Sequence, residues 1–472
     1  MNHCRKLTSL LISSLLLIGL SACGTSSGSS GSSSSEGSAG KSGSSSGKTS
    51  ASKESFSFDG TIPETVIADE DEFKITALSL DKTDKGWLEL KIKLENKSDH
   101  ELTFGTSHED GLYHAVNGYS GFMVNTGFNE KVEAGDSMET EITLSPDELE
   151  LCGIQKIAEM DLGFEVYENY SDRNLIQYNL KTAASDYDYS GESIQNTLQD
   201  PDFIKSRNNW NVDYFSNQID FDAADMTVLS AAVVTEKETQ HLYIEVENRS
   251  DDVRYFRFDS LGINGLVYGG GGESVQVPPG KKGICDTKLK LPKFNDNVKI
   301  TGLDEIRTLN IGSFIVEEDY NTKLGSGTFE IKLSDKEPDI SWTAAGNTNQ
   351  TAGPPVEIEC IGIYDDDSSG TPSPSFMLAV TNKSGQILNA DIEYENAEIN
   401  YQPAFLITTD TEFIPDGATA LISGTCIDMP DKPMPAASAD EITDIVANVL
   451  LYPLDENGME QDPWYCMTTI YK

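Results

Sequence analysis

From about residue 60 to its end, the chain alternates apolar and polar positions over short runs. Leu88-Glu-Leu-Lys-Ile-Lys-Leu-Glu-Asn-Lys-Ser98 is the clearest case. A period of two places every second side chain on one face, which predicts half-buried β-strands. Each run stops at Gly, Pro, Asn or Asp, the residues of turns. Phe73-Lys-Ile-Thr-Ala-Leu, Met226-Thr-Val-Leu and Val356-Glu-Ile-Glu-Cys read as early strands of three successive units. Ile176 to Leu180, Phe329 to Leu333 and Trp464 to Ile470 read as their last strands. One helical turn is expected at Ser145-Pro146-Asp147-Glu148, with an N-cap, a proline at the first helical position and a capping-box glutamate.

The strand pattern repeats. Leu88 to Ser98 recurs as Leu242-Tyr-Ile-Glu-Val-Glu-Asn-Arg-Ser250 and as Phe376-Met-Leu-Ala-Val-Thr-Asn-Lys-Ser384. Val116-Asn117-Gly118 recurs as Ile263-Asn264-Gly265 and, without its glycine, as Ile399-Asn400-Tyr401. Val132-Glu-Ala-Gly135 matches Val277-Pro-Pro-Gly280 and Ile414-Pro-Asp-Gly417. Gly153 to Ile157 matches Gly302 to Ile306, with Asp440 to Ile442 as the third member. From the asparagine of the first landmark to the glycine of the third is 39, 32 and 35 residues, and to the isoleucine of the fourth 61, 58 and 60. Ordered landmarks at similar spacing mark internal duplication. At roughly 120 residues and about seven short strands each, the units are expected to be complete two-sheet sandwiches. The fold class read here is all-β: three tandem immunoglobulin-like β-sandwiches. The expected domains are 61–183, 216–335 and 355–472, with linkers at 184–215 and 336–354.

The N-terminus has a different pattern. Arg5 and Lys6 precede an apolar run from Leu7 to Leu20, and Leu20-Ser-Ala-Cys23-Gly24 closes it. That is the anatomy of an export signal, too short and serine-rich for a lasting membrane span. No later apolar stretch is long enough to span. Residues 1–22 are read as a signal peptide, and 23–60 as Cys23 followed by a disordered stalk of serine and glycine. The stalk's typical span is about 30 Å.

The segment resembles the signal of bacterial lipoproteins, on its Leu-Ser-Ala-Cys element. The resemblance implies that Cys23 becomes the new N-terminus and carries a thioether-linked diacylglycerol and an N-acyl chain such as palmitate. It implies a cell-membrane location, lipid-anchored on the extracytoplasmic face. The repeats are similar to the immunoglobulin-like domains of secreted lipoproteins of Gram-positive bacteria, which a serine-rich stalk also suits. That likeness implies surface exposure and carries no catalytic residues.

Charge and rare residues narrow the functions. Of 472 residues, 78 are acidic and 34 are Lys or Arg, a formal net charge of −44. The acids are spread along the folded part, a surface that repels nucleic acid. Beyond Cys4 and Cys23 remain Cys152, Cys285, Cys360, Cys426 and Cys466. Their odd number and lack of CxxC spacing argue against a disulfide framework or zinc site. A Cys360–Cys466 bridge and buried reduced thiols both fit the third unit.

His3, His100, His108, His114 and His241 include no repeated arrangement, and loop histidines are the favoured reading of the three in the first unit. Gly269 to Gly272 lacks the lysine and helix of a phosphate loop. Asp69 to Glu72 and Asp365 to Gly370 lack the alternating ligands of a calcium loop. Trp87, Trp210, Trp342 and Trp464 do not recur between units, which favours packing over a repeated sugar platform.

The chain therefore reads as a non-enzymatic surface binding or scaffold protein, with no catalytic, cofactor or metal residues. Its partners are the membrane, through lipid on Cys23, and an unidentified protein or glycan. The alternative is a solute- or glycan-binding lipoprotein serving a transporter, with Trp210 or Trp342 lining a cleft between units. A hydrolase built on carboxylates is the third and weakest reading.

Overall fold

The computed structural model describes residues 60–472 apart from 85, 121–127, 208–209, 268–272, 292–293, 318–321, 352, 368–371, 430–432 and 456–457. Cys23, the stalk, His3 and Gly269 to Gly272 lie outside the described residues. The fold is all-β, with three short α-helices among the described residues. No described helix is long and apolar enough to cross a membrane.

In the first copy, Thr65–Asp69, Phe73–Lys82, Leu88–Asn96 and Ser137–Leu144 form a four-stranded sheet in that order. Leu88, Leu90, Ile92 and Leu94 alternate inward and are 0% exposed, as the period of two predicts. They meet Phe104, Phe164 and Val166 from the facing strands Leu102–Thr106 and Glu159–Tyr167 in one apolar cluster. Burying each such side chain contributes about 1.5–3 kcal/mol. The second and third copies have clusters of their own, around Phe256 and Ile311 and around Phe376 and Ile445. Even the irregularities recur. The long early strand shifts register between Ala77 and Ser79, between Val228 and Ser230, and between Cys360 and Gly362.

The repeated asparagines hold turns. The Asn96 amide donates to the carbonyls of His100 (2.7 Å) and Val132 (2.9 Å), and its oxygen accepts from the Ser98 amide (2.9 Å) and hydroxyl (2.6 Å). Asn248 does the same to Asp252, Val277 and Ser250, and Asn382 to Gln386, Ile414 and Ser384. All three are at most 2% exposed. Each ties a carbonyl four residues on, which also accepts from the serine hydroxyl, to a buried carbonyl 29 to 36 residues away.

At the second landmark, Asn117-Gly118, Asn264-Gly265 and Asn400-Tyr401 all have positive φ and form two-residue hairpin loops. Each asparagine also braces the fourth landmark. Asn117 donates to the Lys156 carbonyl (2.6 Å), Asn264 to Gly302 (2.9 Å) and Asn400 to Glu441 (2.9 Å).

Consecutive copies share sheets. Tyr119–Ser120, the arm that follows the first Asn-Gly loop, pairs parallel with Lys282–Leu289 of the second copy, Tyr119 opposite Lys282 and Ser120 opposite Gly283. Leu266–Val267, the matching arm of the second copy, pairs parallel with Thr419–Cys426 of the third, Leu266 opposite Thr419 and Val267 opposite Ala420. The same bond opens each pairing: Lys282 N–H donates to the Gly118 carbonyl (2.8 Å), and Thr419 N–H to Gly265 (2.9 Å). An 11-stranded sheet therefore spans the first joint and a 9-stranded sheet the second.

Two details depart from the sequence reading. The segments read as linkers at 184–215 and 336–354 contain regular structure. Helices Ile194–Leu198 and Pro201–Ser206 lie in the first, and Trp210–Ser216 pairs with Met226–Glu236. In the second, Ser341–Trp342 pairs with Ile300–Thr301, and Asn347–Gln350 with Trp464–Tyr471. Their polarity reflects strands that are at most half-buried. The expected capping box at Ser145 does not form either. Ser145 is the N-cap residue, but its side chain makes no capping bond. Glu148 is instead packed inward, where burial raises its pKa to about 7.

Candidate functional site

Trp210 sits in an open concavity. Ser193 caps helix Ile194–Leu198 by accepting from the Gln195 amide (3.1 Å), and Asp200 caps Pro201–Ser206 by accepting from Asp202 (2.9 Å). Pro201 at the first position suits a helix start. The two helices lead into the strand that begins at Trp210, opposite Glu236. Between helices and strand lies a groove of about 520 Å³.

Leu198, Ile204, Trp210 and Val212 supply its apolar wall, and Gln199, Lys205 and Asn211 its polar groups. Phe203 meets Trp210 edge to face at 6.3 Å. The Arg207 guanidinium lies 5.8 Å from the Trp210 ring and 5.2 Å from that of Phe203. Arg207 is held on its far side by Glu150 (2.7 Å) and by Asp147. This arrangement fixes the indole and leaves Lys205 and Gln199 for a ligand's oxygens, while the Asn211 amide donates to Asp213 (2.5 Å). Aromatic face plus amide and ammonium donors is the chemistry that holds a sugar ring. The residues lining the groove include no carboxylate.

The other sequence candidates scatter. His100 pairs with Asp99 (3.2 Å), which raises its pKa. His114 accepts from the Gly163 amide (3.4 Å), and burial lowers it to about 4. His241 bonds to Asp286 (2.9 Å) and stacks on Tyr243. Trp342 donates to Glu359 (2.6 Å) and Trp464 packs on the third cluster. Asp69 pairs with Lys97 (3.0 Å) and Asp365 accepts from the Ala439 amide (2.6 Å), while the end of that second acidic run lies outside the described residues. Among the described residues, no three His, Cys, Asp or Glu gather as metal ligands. All five described cysteines are free and buried, so Cys360 and Cys466 are not bridged. Burial raises each thiol's pKa.

Sequence reasoning missed the charged cluster at the first joint. Glu245, 1% exposed, accepts from the Tyr119 hydroxyl, from Ser193 (3.0 Å) and from Ser230 (2.9 Å). Lys282 donates to the Glu192 carbonyl (2.9 Å) and lies over the Tyr119 ring at 5.3 Å. Lys281 bonds to Asp161 (2.9 Å). Burial holds the Glu192 carboxyl up at about 7. At Glu159 burial acts in the same direction, but Lys181, Tyr189 and Lys281 bring the pKa down to about 2. These groups satisfy one another across the joint and leave no open face.

No family model and no curated protein matches the chain. Among solved structures, one described as insight into host cell surface retention of a 1.5-MDa bacterial ice-binding adhesin is 10% identical, with a TM-score of 0.13. The match covers 82% of this chain and 90% of that one. A biofilm associated protein, BSP domain, is also 10% identical, with a TM-score of 0.12, covering 87% of this chain and 66% of that one.

Proposed function

We propose that this chain is a lipid-anchored, extracytoplasmic binding protein of a bacterial surface, without enzymatic activity, and that the Trp210 groove takes a sugar. The groove carries the reading: an indole held by Phe203 and Arg207 and flanked by Lys205 and Gln199, with no carboxylate among its lining residues. Three immunoglobulin-like sandwiches joined through continuous sheets would make a stiff spacer, held off the membrane by the stalk. The Leu-Ser-Ala-Cys23 element supports the anchor.

Titration with wall glycan fragments should raise the melting temperature, and Trp210→Ala should abolish the rise. A panel of wall polymers and glycans that leaves the melting temperature unmoved would defeat the sugar assignment. Separately, Cys23→Ala should leave the membrane fraction, and retention there would defeat the anchor.

A further inference from the structure

The lining of the Trp210 groove departs from the charge balance of the chain. Acids outnumber Lys and Arg by 78 to 34 over the whole sequence. The residues lining the groove include two cations, Lys205 and Arg207, and no acid. Both stand where helix Pro201–Ser206 gives way to the strand that begins at Trp210.

The two cations are not equivalent. Arg207 is largely engaged within the protein, since its Nη groups donate to Asp147 and Glu150 and those carboxylates offset its charge. Its Nε–H is buried and has no hydrogen-bond partner among the described residues. Lys205 is exposed, and its ammonium has no ion-pair partner among the described residues. Asp200 and Asp202, at the start of that helix, do not line the groove, and Asp200 turns to the Asp202 amide (2.9 Å).

Building on the sugar reading above, we infer that the ligand of the groove is an acidic sugar, its carboxylate or phosphate held by Lys205 while its ring lies against Trp210. A neutral sugar makes little use of an ammonium. Its hydroxyls accept equally well from an amide such as Gln199, and the ammonium gives up hydration to reach them. An oxyanion repays that cost, because a charge-assisted bond is about twice as strong as a neutral one. It also brings further acceptor oxygens to a lining in which the Arg207 Nε–H lacks one. The chain's net charge of −44 acts mainly on approach, since at physiological salt exposed charges are screened beyond about 8 Å. What a bound anion meets is set by the lining.

The test gives the full-length protein each acid beside its own neutral form. One pair is trigalacturonate and its methyl ester, and the other is glucose phosphate and glucose. Inorganic phosphate alone reports anion binding without a sugar. At low salt the acidic member of at least one pair should bind about tenfold tighter than the neutral member, and the pair that shows it names the anion. Raising the salt to about 1 M should close the gap. Lys205→Gln should bring the acidic member down to the neutral one and leave the neutral one where it was. Trp210→Ala should abolish both. Lys205 is exposed, so its variant should melt like the wild type.

Equal binding of acidic and neutral members in both pairs overturns the acidic assignment and leaves the sugar reading standing. A preference that survives Lys205→Gln does the same. Inorganic phosphate that binds as tightly as glucose phosphate, and is unmoved by Trp210→Ala, reduces the groove to a bare anion site and overturns the assignment. If no sugar of either kind binds, the sugar reading and the acidic assignment fall together.

Discussion

The two joints share one backbone register and are filled with different chemistry. At the first, Tyr119, Glu245, Ser193, Lys281 and Lys282 meet in a buried polar network. At the second, the Phe314 and Phe413 rings meet tilted at 55° with centroids 4.4 Å apart, and Leu266, Val298, Ile361 and Leu421 form an apolar cluster. The parallel pairing of arm and strand sets the geometry in both, because it uses main-chain groups that every residue carries. The side chains set how each joint responds to its surroundings. The apolar packing of the second joint does not itself titrate, so any pH response there comes from Glu412 at its margin, whereas the first joint holds its acids and bases within the contact.

The largest effect should come from breaking the apolar joint. Phe413→Ala removes a ring that is 2% exposed and in contact with the Phe314 ring and Gly312. The expected loss is about 3–5 kcal/mol, read as a lower denaturant midpoint for the second and third copies. At the polar joint, Glu245→Ala strands three hydroxyls and should cost about 3 kcal/mol, with Glu245→Gln recovering part of it. If Glu245→Ala proves neutral, the network does not hold the first joint, and the contrast between the joints fails.

The Asn-Lys-Ser strand end and the Asn-Gly hairpin were legible in the sequence because each motif is contiguous, but the distant carbonyls that Asn96 and Asn117 hold were not. The all-β fold followed from the period of two. The joints were not legible, since Tyr119 and Lys282 are far apart in sequence and no pattern announces their pairing. Trp210 was singled out in the sequence as a residue lining a cleft, but the strand it opens was not read, for a different reason. Trp210, Val212 and Tyr214 alternate with Asn211 and Asp213 as a strand does, but polar neighbours on both sides led that run to be read as linker. Glu148 shows the limit of local rules, since packing drew it inward and away from the cap.

The difference in pH response sharpens the comparison further. Burial lifts the Glu192 carboxyl to about 7, although Asn117, Tyr187 and Lys282 each act to lower it. Its folded value therefore lies above its unfolded value of about 4.5, so folding favours the protonated form. The stability it contributes is fully present below about pH 4.5 and is lost as pH rises through about 7. The loss should amount to roughly 3 kcal/mol, and Glu192→Gln should remove it from the melting profile. Glu412, at the margin of the second joint, is also raised to about 7 by burial, and faces Lys323, Asp259, Asp410 and Arg257. Glu192→Gln should leave that second slope in place, and Glu412→Gln should remove only it. Loss of both slopes in either variant would mean that the two joints melt as one unit.

The smallest effect, and the only gain, should come from the third hairpin. Tyr401 occupies the second position of the third hairpin with φ +58°, where the internal copies place Gly118 and Gly265. A side chain in the left-handed region costs about 1–2 kcal/mol, and glycine does not pay it. Tyr401 is 71% exposed, so replacing it gives up little burial. Tyr401→Gly should therefore stabilise the third copy by about 1 kcal/mol, read as a higher denaturant midpoint, while Gly265→Tyr at the internal joint should destabilise it by a similar amount or more. A fall in stability for Tyr401→Gly would show that the ring is held by a contact of its own, and the third hairpin would then differ from the other two in more than its missing glycine.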